Sequence, residues 1–324
     1  MKNYKELLQI YLDYQRENPF EGMPDELYTP ANYILELGGK RIRPILVLLA
    51  YQLFEKNVVK ALPLAHAVEV FHNFTLMHDD IMDNADVRRG KPTVHKKWNQ
   101  NVAILSGDVM LVKAYQLLEQ LETSSEIKML LMSEFGKMAE EVCVGQQMDM
   151  NFETAGIVSE EEYIEMIRLK TAVLLAFSLK AGAILAGASI GEGNLLYEFG
   201  IHTGLGFQVM DDYLDTFGNA ETFGKKIGGD ILENKKTLLW IAANRMAQNN
   251  QLAELREWYS SNEISEEKIK NVTALFKTLG VDKFAEDKMN HYFDKAENQI
   301  KQLTHLEGIT PLMELTKMLQ TRTQ

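Results

Sequence analysis

The sequence predicts an all-α protein organised as a single domain. Apolar residues recur at helical spacing along most of the 324 residues, and no run of alternating β-branched residues indicates a strand. Hydrophobic residues make up 46% of the chain, which is enough for a large core. Since no linker or low-complexity segment interrupts residues 1–324, one large domain is the simplest organisation for this length.

Composition argues against several functional classes. The net charge is −12, whereas a general nucleic-acid binder needs a basic surface to displace counterions. The chain contains neither a G-x-x-x-x-G-K-[ST] nor a G-x-G-x-x-G motif, which disfavours nucleotide-dependent chemistry. Cys143 is the only cysteine, and the N-terminal segment is amphipathic without a continuous apolar signal. We therefore expect a cytoplasmic protein without an intrachain disulfide.

One segment, Thr171–Gly191, has roughly the length that a bilayer requires. Lys180 lies near its middle, and small residues interrupt its apolar side chains. The pattern favours one or two buried core helices over a stable membrane insertion.

The first basic segment, GGKRIRP, follows a short predicted helix at residues 28–38. Gly38 and Gly39 fit a left-handed helix end, and Pro44 suits the first turn of the next helix. Lys40 and Arg43 beside the amides of that helix N-terminus favour an anion site. A turn with solvated charges is the alternative.

The next predicted helix, Leu62–Met82, leads into the stretch FHNFTLMHDDIMD. Asp79 and Asp83 stand one turn apart on one face, with Asp80 beside them. Three carboxylates this close repel one another, and a hard divalent cation such as Mg²⁺ would remove that repulsion. A solvated acidic helix end is the alternative for this cluster taken alone.

Other residues of the same helix are placed by their spacing from Asp79. His72, seven residues earlier, projects close to Asp79, while the histidines six residues to either side of it drift off that face. Thr75 and Phe71 lie one and two turns below Asp79 on nearly the same face, and Phe74 is about 140° away on a wheel of ~3.6 residues per turn. Phe71 and Thr75 are therefore expected to line whatever lies beneath the metals.

Two further helices are predicted at residues 102–121 and 133–150. Gln146 and Asp149 share one face of the second helix, where they suit a shell of groups around the metals. A polar surface pair is an equally good interpretation.

A second acidic cluster, GFQVMDDYLD, repeats the spacing of the first with Asp211, Asp212 and Asp215. Two such clusters suggest two walls of one cavity with several metal ions between them. Basic side chains accompany both clusters: Lys40, Arg41, Arg43, Arg88, Arg89, Lys225, Lys226, Lys235 and Lys236. Because Arg and Lys bind phosphate oxygens, the combination indicates a diphosphate site. The glycine-rich segment 217–236 predicts a loop that closes over the ligand.

These motifs resemble those of the trans-isoprenyl diphosphate synthases, the polyprenyl synthetase family that includes farnesyl and geranylgeranyl diphosphate synthases. The matching segments span about residues 38–237 and read GGKRIRP, HNFTLMHDDIMDNADVRRGKP, GQQMD, LKT, GFQVMDDYLD and KKIGGDILENKKT. The resemblance implies one bundle of antiparallel helices around a central cavity, three Mg²⁺ ions (with Mn²⁺ as a possible substitute) and a homodimer. It also implies that the substrates are isopentenyl diphosphate and an allylic diphosphate with a dimethylallyl, geranyl or farnesyl chain.

The same resemblance assigns roles to individual residues. Asp79 and Asp83 would bind two of the metal ions and Asp211 the third, with Asp80 and Asp212 completing the catalytic clusters. The allylic diphosphate would be held by Arg88, Lys170, Lys226 and Lys235. Isopentenyl diphosphate would be held by Lys40, Arg43, His72 and Arg89. Thr171 and Gln208 would flank the reacting carbons.

Product length is predicted from the residues just before the first acidic cluster, which form the floor of the elongation pocket in the family. Here Phe74 is the fifth residue upstream and Thr75 the fourth, with Phe71 one turn deeper. This pattern resembles enzymes with a C20 product, with C15 next and longer chains last. The competing functions are a terpene cyclase of the same fold, a metal phosphohydrolase and a non-catalytic subunit that binds prenyl diphosphates.

Overall fold

The computed structural model describes residues 1–218, 227–261, 265–303 and 309–320. These residues confirm the all-α prediction, because helices account for nearly all of the regular structure. The one departure within the described ranges is a two-residue antiparallel pair, Val87–Arg88 with Lys91–Pro92. It forms because Arg89 and Gly90 both adopt positive φ and reverse the chain between the two strands.

The chain divides into two compact units. The first contains residues 1–136, 177–196 and 309–312, and the second contains the described parts of 137–176, 197–303 and 313–320. This division describes packing within each unit, and the single-domain organisation stays a prediction.

The first unit is built mainly from its N-terminal helices. These are α1 (Tyr4–Glu17), α2 (Asp25–Glu36), α3 (Ile42–Gln52), α4 (Leu62–Met82), α5 (Val94–Lys97) and α6 (Gln100–Glu119). A 3₁₀ turn at Val58–Ala61 precedes α4. The first unit also includes the beginning of α7 (Ser125–Thr154) and most of α9 (Val173–Leu185), and α10 (Ile190–Phe217) starts in it.

The second unit contains the rest of α7, α8 (Glu160–Ile167), a π-helical turn at Arg168–Ala172 and most of α10. The helices that follow are Gly229–Leu232, Leu238–Met246, Asn250–Ser260, Glu266–Leu279, Val281–Ile300 and most of Thr310–Gln320, with a 3₁₀ turn at Lys301–Leu303. The predicted loop 217–236 falls partly on residues 219–226, which lie outside the described ranges. Its described part contains the short helix Gly229–Leu232.

Helix α4 is the centre of the first unit and has the predicted bounds. Pro63 lies in its first turn, where a missing N–H costs no hydrogen bond. Most of its residues are buried, including Phe71 and Asn73 at 0% exposure, so it is a core helix rather than a surface one. It is continuous up to Met82, and Asp83 caps its end.

Two predicted helix boundaries differ from the observed ones because of local capping. The side chain of Asn99 accepts the N–H of Val102 at 2.9 Å, so α6 begins at Gln100. The hydroxyl of Ser124 accepts the N–H of Ile127 at 3.3 Å, so α7 begins at Ser125, earlier than the predicted residue 133. Capping side chains outside the apolar pattern thus set both starts.

Most of the apolar segment 171–191 forms buried helix, as predicted, whereas residues 186–189 form a turn and residues 189–191 are exposed. The π turn holds its first two residues, α9 follows, and α10 begins at Ile190. Across the described residues, none of the helices combines the length and apolar character needed to span a bilayer.

Candidate functional site

The first acidic cluster lies at the end of α4. The N–H of Asp83 donates to the carbonyl of Asp79 at 2.9 Å, which confirms that the two residues stand one helical turn apart. Asp80 behaves differently, because it is 2% exposed and accepts the Nε–H of Arg88 at 2.8 and 2.9 Å. Arg88 Nη2 lies 2.7 Å from Asp80 and 3.9 Å from Asp79. Arg88 therefore offsets one of the three charges, and Asp79 and Asp83 are the better candidates for a cation.

The chemistry of this donor set fits a magnesium-type ion. Among the described residues, no three His, Cys, Asp or Glu side chains are grouped as a protein-only metal cage. Mg²⁺ is usually held by one or two carboxylates, with water and substrate phosphate supplying the remaining ligands. The pair formed by Asp79 and Asp83 matches that requirement.

The residues predicted to bind isopentenyl diphosphate come together around the start of α3. Arg43 Nη1 donates to His72 Nε2 at 3.1 Å, and Arg89 Nη1 donates to the carbonyl of Gly38. Lys40 is exposed beside them, and its carbonyl accepts the hydroxyl of Tyr4. The positive φ predicted for the two glycines is observed at Gly38 and Gly39.

The electrostatics of this cluster favour an anion. Burial, together with the nearby Arg89, lowers the pKa of Arg43 to about 10. Burial and the neighbouring arginines, with Arg43 first among them, hold the pKa of His72 well below its ordinary value. His72 is therefore neutral near pH 7 and accepts the hydrogen bond from Arg43 without adding or removing charge.

A buried ion pair that the sequence reasoning missed supports this segment. Arg41 Nη1 lies 2.7 Å from Glu69 Oε1, and both side chains are 2% exposed. Arg41 also donates to the carbonyl of Leu35, and Glu69 accepts the Nδ2–H of Asn73 at 3.0 Å. The available signal was a lone carboxylate in the apolar run LAHAVEVF, because a charge on a buried helix face requires a partner.

In the second unit, the π turn carries Lys170 and Thr171. Lys170 Nζ lies 2.5 Å from Asp149 of the predicted GQQMD motif, so Asp149 pairs with a lysine. A Cβ on Gly145 would lie 2.3 Å from the backbone nitrogen of Lys170, which shows how closely α7 approaches this turn. π turns occur often at functional sites because they displace side chains from the regular helical faces.

The second acidic cluster lies on α10, with its three aspartates in different surroundings. Asp212 is 4% exposed and accepts hydrogen bonds from Tyr163 at 2.5 Å and from Gln208 at 3.2 Å. Burial and the nearby Asp230 raise the pKa of Asp212 well above its ordinary value. Asp215 accepts the N–H of Asp230 at 3.0 Å.

Asp211 is half-buried and remains the candidate metal ligand of this cluster. Gln208 Oε1 accepts the hydroxyl of Thr171 at 3.2 Å, so the structure joins the two residues predicted to flank the reacting carbons. Lys235 lies 2.9 Å from Glu233 and 3.9 Å from Asp230. Lys225 and Lys226 lie outside the described residues.

Two of the residues predicted to set product length, Phe71 and Phe74, belong to an aromatic cluster in the first unit. Phe71 is fully buried, Phe74 is 8% exposed, and Thr75 donates to the carbonyl of His72 at 2.8 Å. The ring centroid of Phe71 lies 5.6 Å from that of Phe74 and 5.2 Å from that of Phe135. Phe135 also packs edge-on against Tyr115 and Phe177, which come from helices distant in sequence. The spacing of residues along α4 could not predict these three partners, because they lie on other helices.

Comparison with known proteins shows which proteins this chain is similar to. The family model described as polyprenyl synthetase matches residues 24–276. A geranylgeranyl diphosphate synthase from Methanosarcina mazei is 46% identical over 220 residues, covering 68% of each chain. A geranylfarnesyl diphosphate synthase from Natronomonas pharaonis is 37% identical over 236 residues, covering 68% of this chain and 69% of the relative. A crystal structure of a geranylgeranyl pyrophosphate synthase superimposes with a TM-score of 0.94 at 44% identity, covering 100% of both chains.

Proposed function

This chain belongs to the polyprenyl synthetase family and is a prenyltransferase, and we propose that it condenses isopentenyl diphosphate with an allylic diphosphate to make mainly the C20 product, geranylgeranyl diphosphate. One observation carries the proposal. Arg43, His72 and Arg89 form a basic cluster on the same unit as the carboxylates of Asp79 and Asp83. A terpene cyclase binds only one diphosphate, so it would not need this second, basic cluster.

In the proposed isopentenyl site, Lys40, Arg43, His72 and Arg89 bind the diphosphate of the nucleophile. Arg43 and Arg89 present planar donors, and His72 fixes the plane of Arg43 through their hydrogen bond. Because His72 is neutral, the positive charge of the arginines remains available to the ligand.

In the proposed allylic site, Asp79, Asp83 and Asp211 hold divalent metal, with three Mg²⁺ ions expected and Mn²⁺ as a possible substitute. Members of this family use a divalent metal, which when bound neutralises diphosphate charge and stabilises its departure. Arg88, Lys170 and Lys235 contact the same diphosphate, and Lys226 is proposed with them from the sequence. Arg88 is held in place by Asp80, so its fork is oriented before the substrate arrives.

The proposed reaction begins when the allylic C–O bond breaks and its electron pair leaves with the diphosphate. The π electrons of isopentenyl diphosphate then form a carbon–carbon bond to the allylic cation. The proton lost from the neighbouring carbon passes to the released diphosphate, which closes the balance of charge. Thr171 and Gln208 present oxygen atoms beside the cation, and each well-placed dipole is worth on the order of 3 kcal/mol in such a site.

The proposal of a C20 product rests on the side chains below Asp79. Phe74 and Phe71 are bulky and in mutual contact, and Phe71 is backed by Phe135. Three packed rings resist displacement by a growing chain better than one ring does. Phe71, Phe74 and Thr75 are therefore proposed as the floor, with the C15 product next in probability.

We also propose a homodimer, which an apolar stripe on α6 supports. Ile104, Leu105 and Val112 are exposed along one side of this helix. Sedimentation of the wild type should give twice the monomer mass, and Leu105→Glu should shift the population toward monomer. Val59→Glu changes an equally exposed apolar residue outside the stripe and should leave the mass unchanged. A wild type that sediments as a monomer at all concentrations would contradict the dimer.

The function is tested by incubating the protein with Mg²⁺, labelled isopentenyl diphosphate and each allylic primer in turn. Chromatography of the products should show label in a linear C20 chain. Release of phosphate or a cyclic hydrocarbon without incorporated label would indicate a phosphohydrolase or a cyclase instead. Tight primer binding without any turnover would indicate a non-catalytic subunit.

A further inference from the structure

A buried tyrosine of the second unit stands at the end of a hydrogen-bond chain that leads to the proposed reaction centre. Tyr163 lies on α8, is 4% exposed, and donates its hydroxyl to Asp212 Oδ2 at 2.5 Å. Burial and the adjacent Asp212 raise the pKa of Tyr163 well above its ordinary value, so the hydroxyl keeps its proton. No acidic or basic motif of the sequence includes this residue.

The second bond of the chain fixes the orientation of an amide. Asp212 Oδ1 accepts the Nε2–H of Gln208 at 3.2 Å. A glutamine side chain has a donor end and an acceptor end, so committing the nitrogen to Asp212 determines where the oxygen points. With Asp212 held by Tyr163 on one oxygen, its other oxygen stays in place for Gln208.

The third bond fixes a hydroxyl. Thr171 Oγ1 donates its only hydrogen to Gln208 Oε1 at 3.2 Å. Elsewhere around Thr171 the hydroxyl therefore offers lone pairs and no proton. Both side chains are half-buried, which leaves them accessible to a ligand, whereas Tyr163 and Asp212 are enclosed.

We propose that Tyr163 is a positioning residue that, through Asp212, locks Gln208 and Thr171 so that both present oxygen to the allylic cation. The inference rests on the proposed function, in which Gln208 and Thr171 flank the reacting carbons. Dipoles that are oriented before the reaction stabilise a cation without the energetic cost of reorganising during it. Without the tyrosine hydroxyl, Asp212 can rotate, and the freed amide can turn its NH₂ group toward the cation.

Loss of the tyrosine hydroxyl should therefore weaken the binding of a positively charged ligand and not that of a neutral one. Tyr163→Phe keeps the ring and its packing and removes only the first bond of the chain. Binding is measured by calorimetry in Mg²⁺ with two unreactive probes: an allylic thiodiphosphate, which has a neutral chain, and an analogue that carries an ammonium nitrogen where the cationic carbon forms. We expect affinity for the ammonium probe to fall about tenfold, the equivalent of one lost oriented hydrogen bond. Affinity for the neutral probe should stay within about twofold, and kcat should fall with KM unchanged.

A matched control removes a different tyrosine–carboxylate bond, made by a tyrosine of α10 next to Asp212. Tyr213 donates to Glu286 at 2.8 Å and has no bond to Asp212 or Gln208 among the described residues. Tyr213→Phe should leave both probe affinities and kcat within about twofold of the wild type. Thermal unfolding of each variant shows whether the fold is retained.

A double-mutant cycle tests whether Tyr163 acts through Gln208. Gln208→Leu breaks the chain at its second bond without touching the buried tyrosine, and the combined variant should bind the ammonium probe no more weakly than Gln208→Leu alone. Additive losses, or equal losses for both probes in Tyr163→Phe, would overturn the proposal. Failure of the wild type to incorporate isopentenyl diphosphate would instead refute the proposed function, so the two failures are distinguishable.

Discussion

The two sets of basic residues differ in what lies against them. Among the residues proposed for isopentenyl diphosphate, Arg43 contacts a neutral histidine and Arg89 contacts a backbone carbonyl. Among the residues proposed for the allylic diphosphate, Arg88 is paired with Asp80, Lys170 with Asp149 and Lys235 with Glu233. The hydrogen-bond partners of Arg43 and Arg89 are thus neutral groups, whereas those of Arg88, Lys170 and Lys235 are carboxylates.

This difference suggests how one protein can keep two diphosphates apart. A cluster with uncompensated positive charge attracts a diphosphate directly. In the proposed allylic site, the paired charges and the carboxylates proposed as metal ligands would repel a diphosphate until divalent cations are bound. We therefore expect the two sites to differ in their dependence on metal, and this expectation can be tested in four ways.

The largest effect should come from removing metal. Chelation should weaken binding of an unreactive allylic thiodiphosphate by on the order of 100-fold, since bare carboxylates would face its charge. Isopentenyl diphosphate should bind within about threefold of its affinity in Mg²⁺. Calorimetric titration of both ligands, with and without chelator, measures the contrast. Equal loss for both ligands would show that the isopentenyl site also depends on metal.

The second effect concerns the arginines whose hydrogen-bond partners are neutral. Arg43→Gln should raise the KM for isopentenyl diphosphate by about 10- to 100-fold, because it removes a charged donor and leaves His72 without its partner. The KM for the allylic primer should stay within about twofold. Steady-state kinetics with each substrate varied in turn provide the measurement, and Arg16→Gln, an exposed arginine of α1, is the control.

A smaller effect should follow from releasing a paired lysine. Asp149→Asn removes the carboxylate that lies 2.5 Å from Lys170, so this carboxylate no longer competes with the diphosphate for the lysine. We expect the Mg²⁺ concentration required for half-maximal allylic binding to fall about threefold, in line with a partly exposed ion pair. Glu165→Gln removes a carboxylate from Arg168 in the same region and should not change the requirement. An unchanged requirement in Asp149→Asn would mean that the pairing does not oppose substrate binding.

The smallest effect is expected from pH. Burial and the arginines around it, Arg43 first, keep the pKa of His72 well below 6.5, so folded His72 stays neutral as the pH falls from 8 to 6.5. The KM for isopentenyl diphosphate should be flat over this range, and an inflection near pH 6.5 would contradict a neutral His72.

The same shift has a consequence for stability. Below pH 6.5 the unfolded chain takes up a proton at this histidine while the folded protein does not, so the free energy of unfolding should decrease as the pH falls. Urea denaturation at several pH values should show a weaker decrease in His72→Gln than in the wild type. The sign follows from the lowered pKa, because a raised pKa would make the protein more stable at low pH.

Much of the site could be predicted because its signals are local. Asp79 and Asp83 share a face through the fixed pitch of a helix, and the structure confirms both the bounds of α4 and the one-turn relation. The left-handed backbone at Gly38 and Gly39 was equally local, because glycine is the residue that adopts it without strain.

Other parts of the site could not be predicted because they depend on partners far along the chain. Asp80 belongs to the same acidic motif as Asp79 and Asp83, yet its charge is offset by a hydrogen bond from Arg88. The buried pair of Arg41 and Glu69 joins residues 28 positions apart, and Tyr163 reaches Asp212 across 49 positions. Residue type and helical period do not predict which residue distant in the sequence such a side chain will contact.

The sequence by itself determined the all-α fold, the helical presentation of both acidic clusters and the family of the protein. These features follow from hydrophobic period, carboxylate spacing and motif order, all of which act over a few residues. Only the tertiary structure decided which charges are compensated. In the folded protein Arg43 contacts a neutral histidine and Lys170 contacts Asp149. Burial and packing determine which groups approach closely enough for their charges to interact.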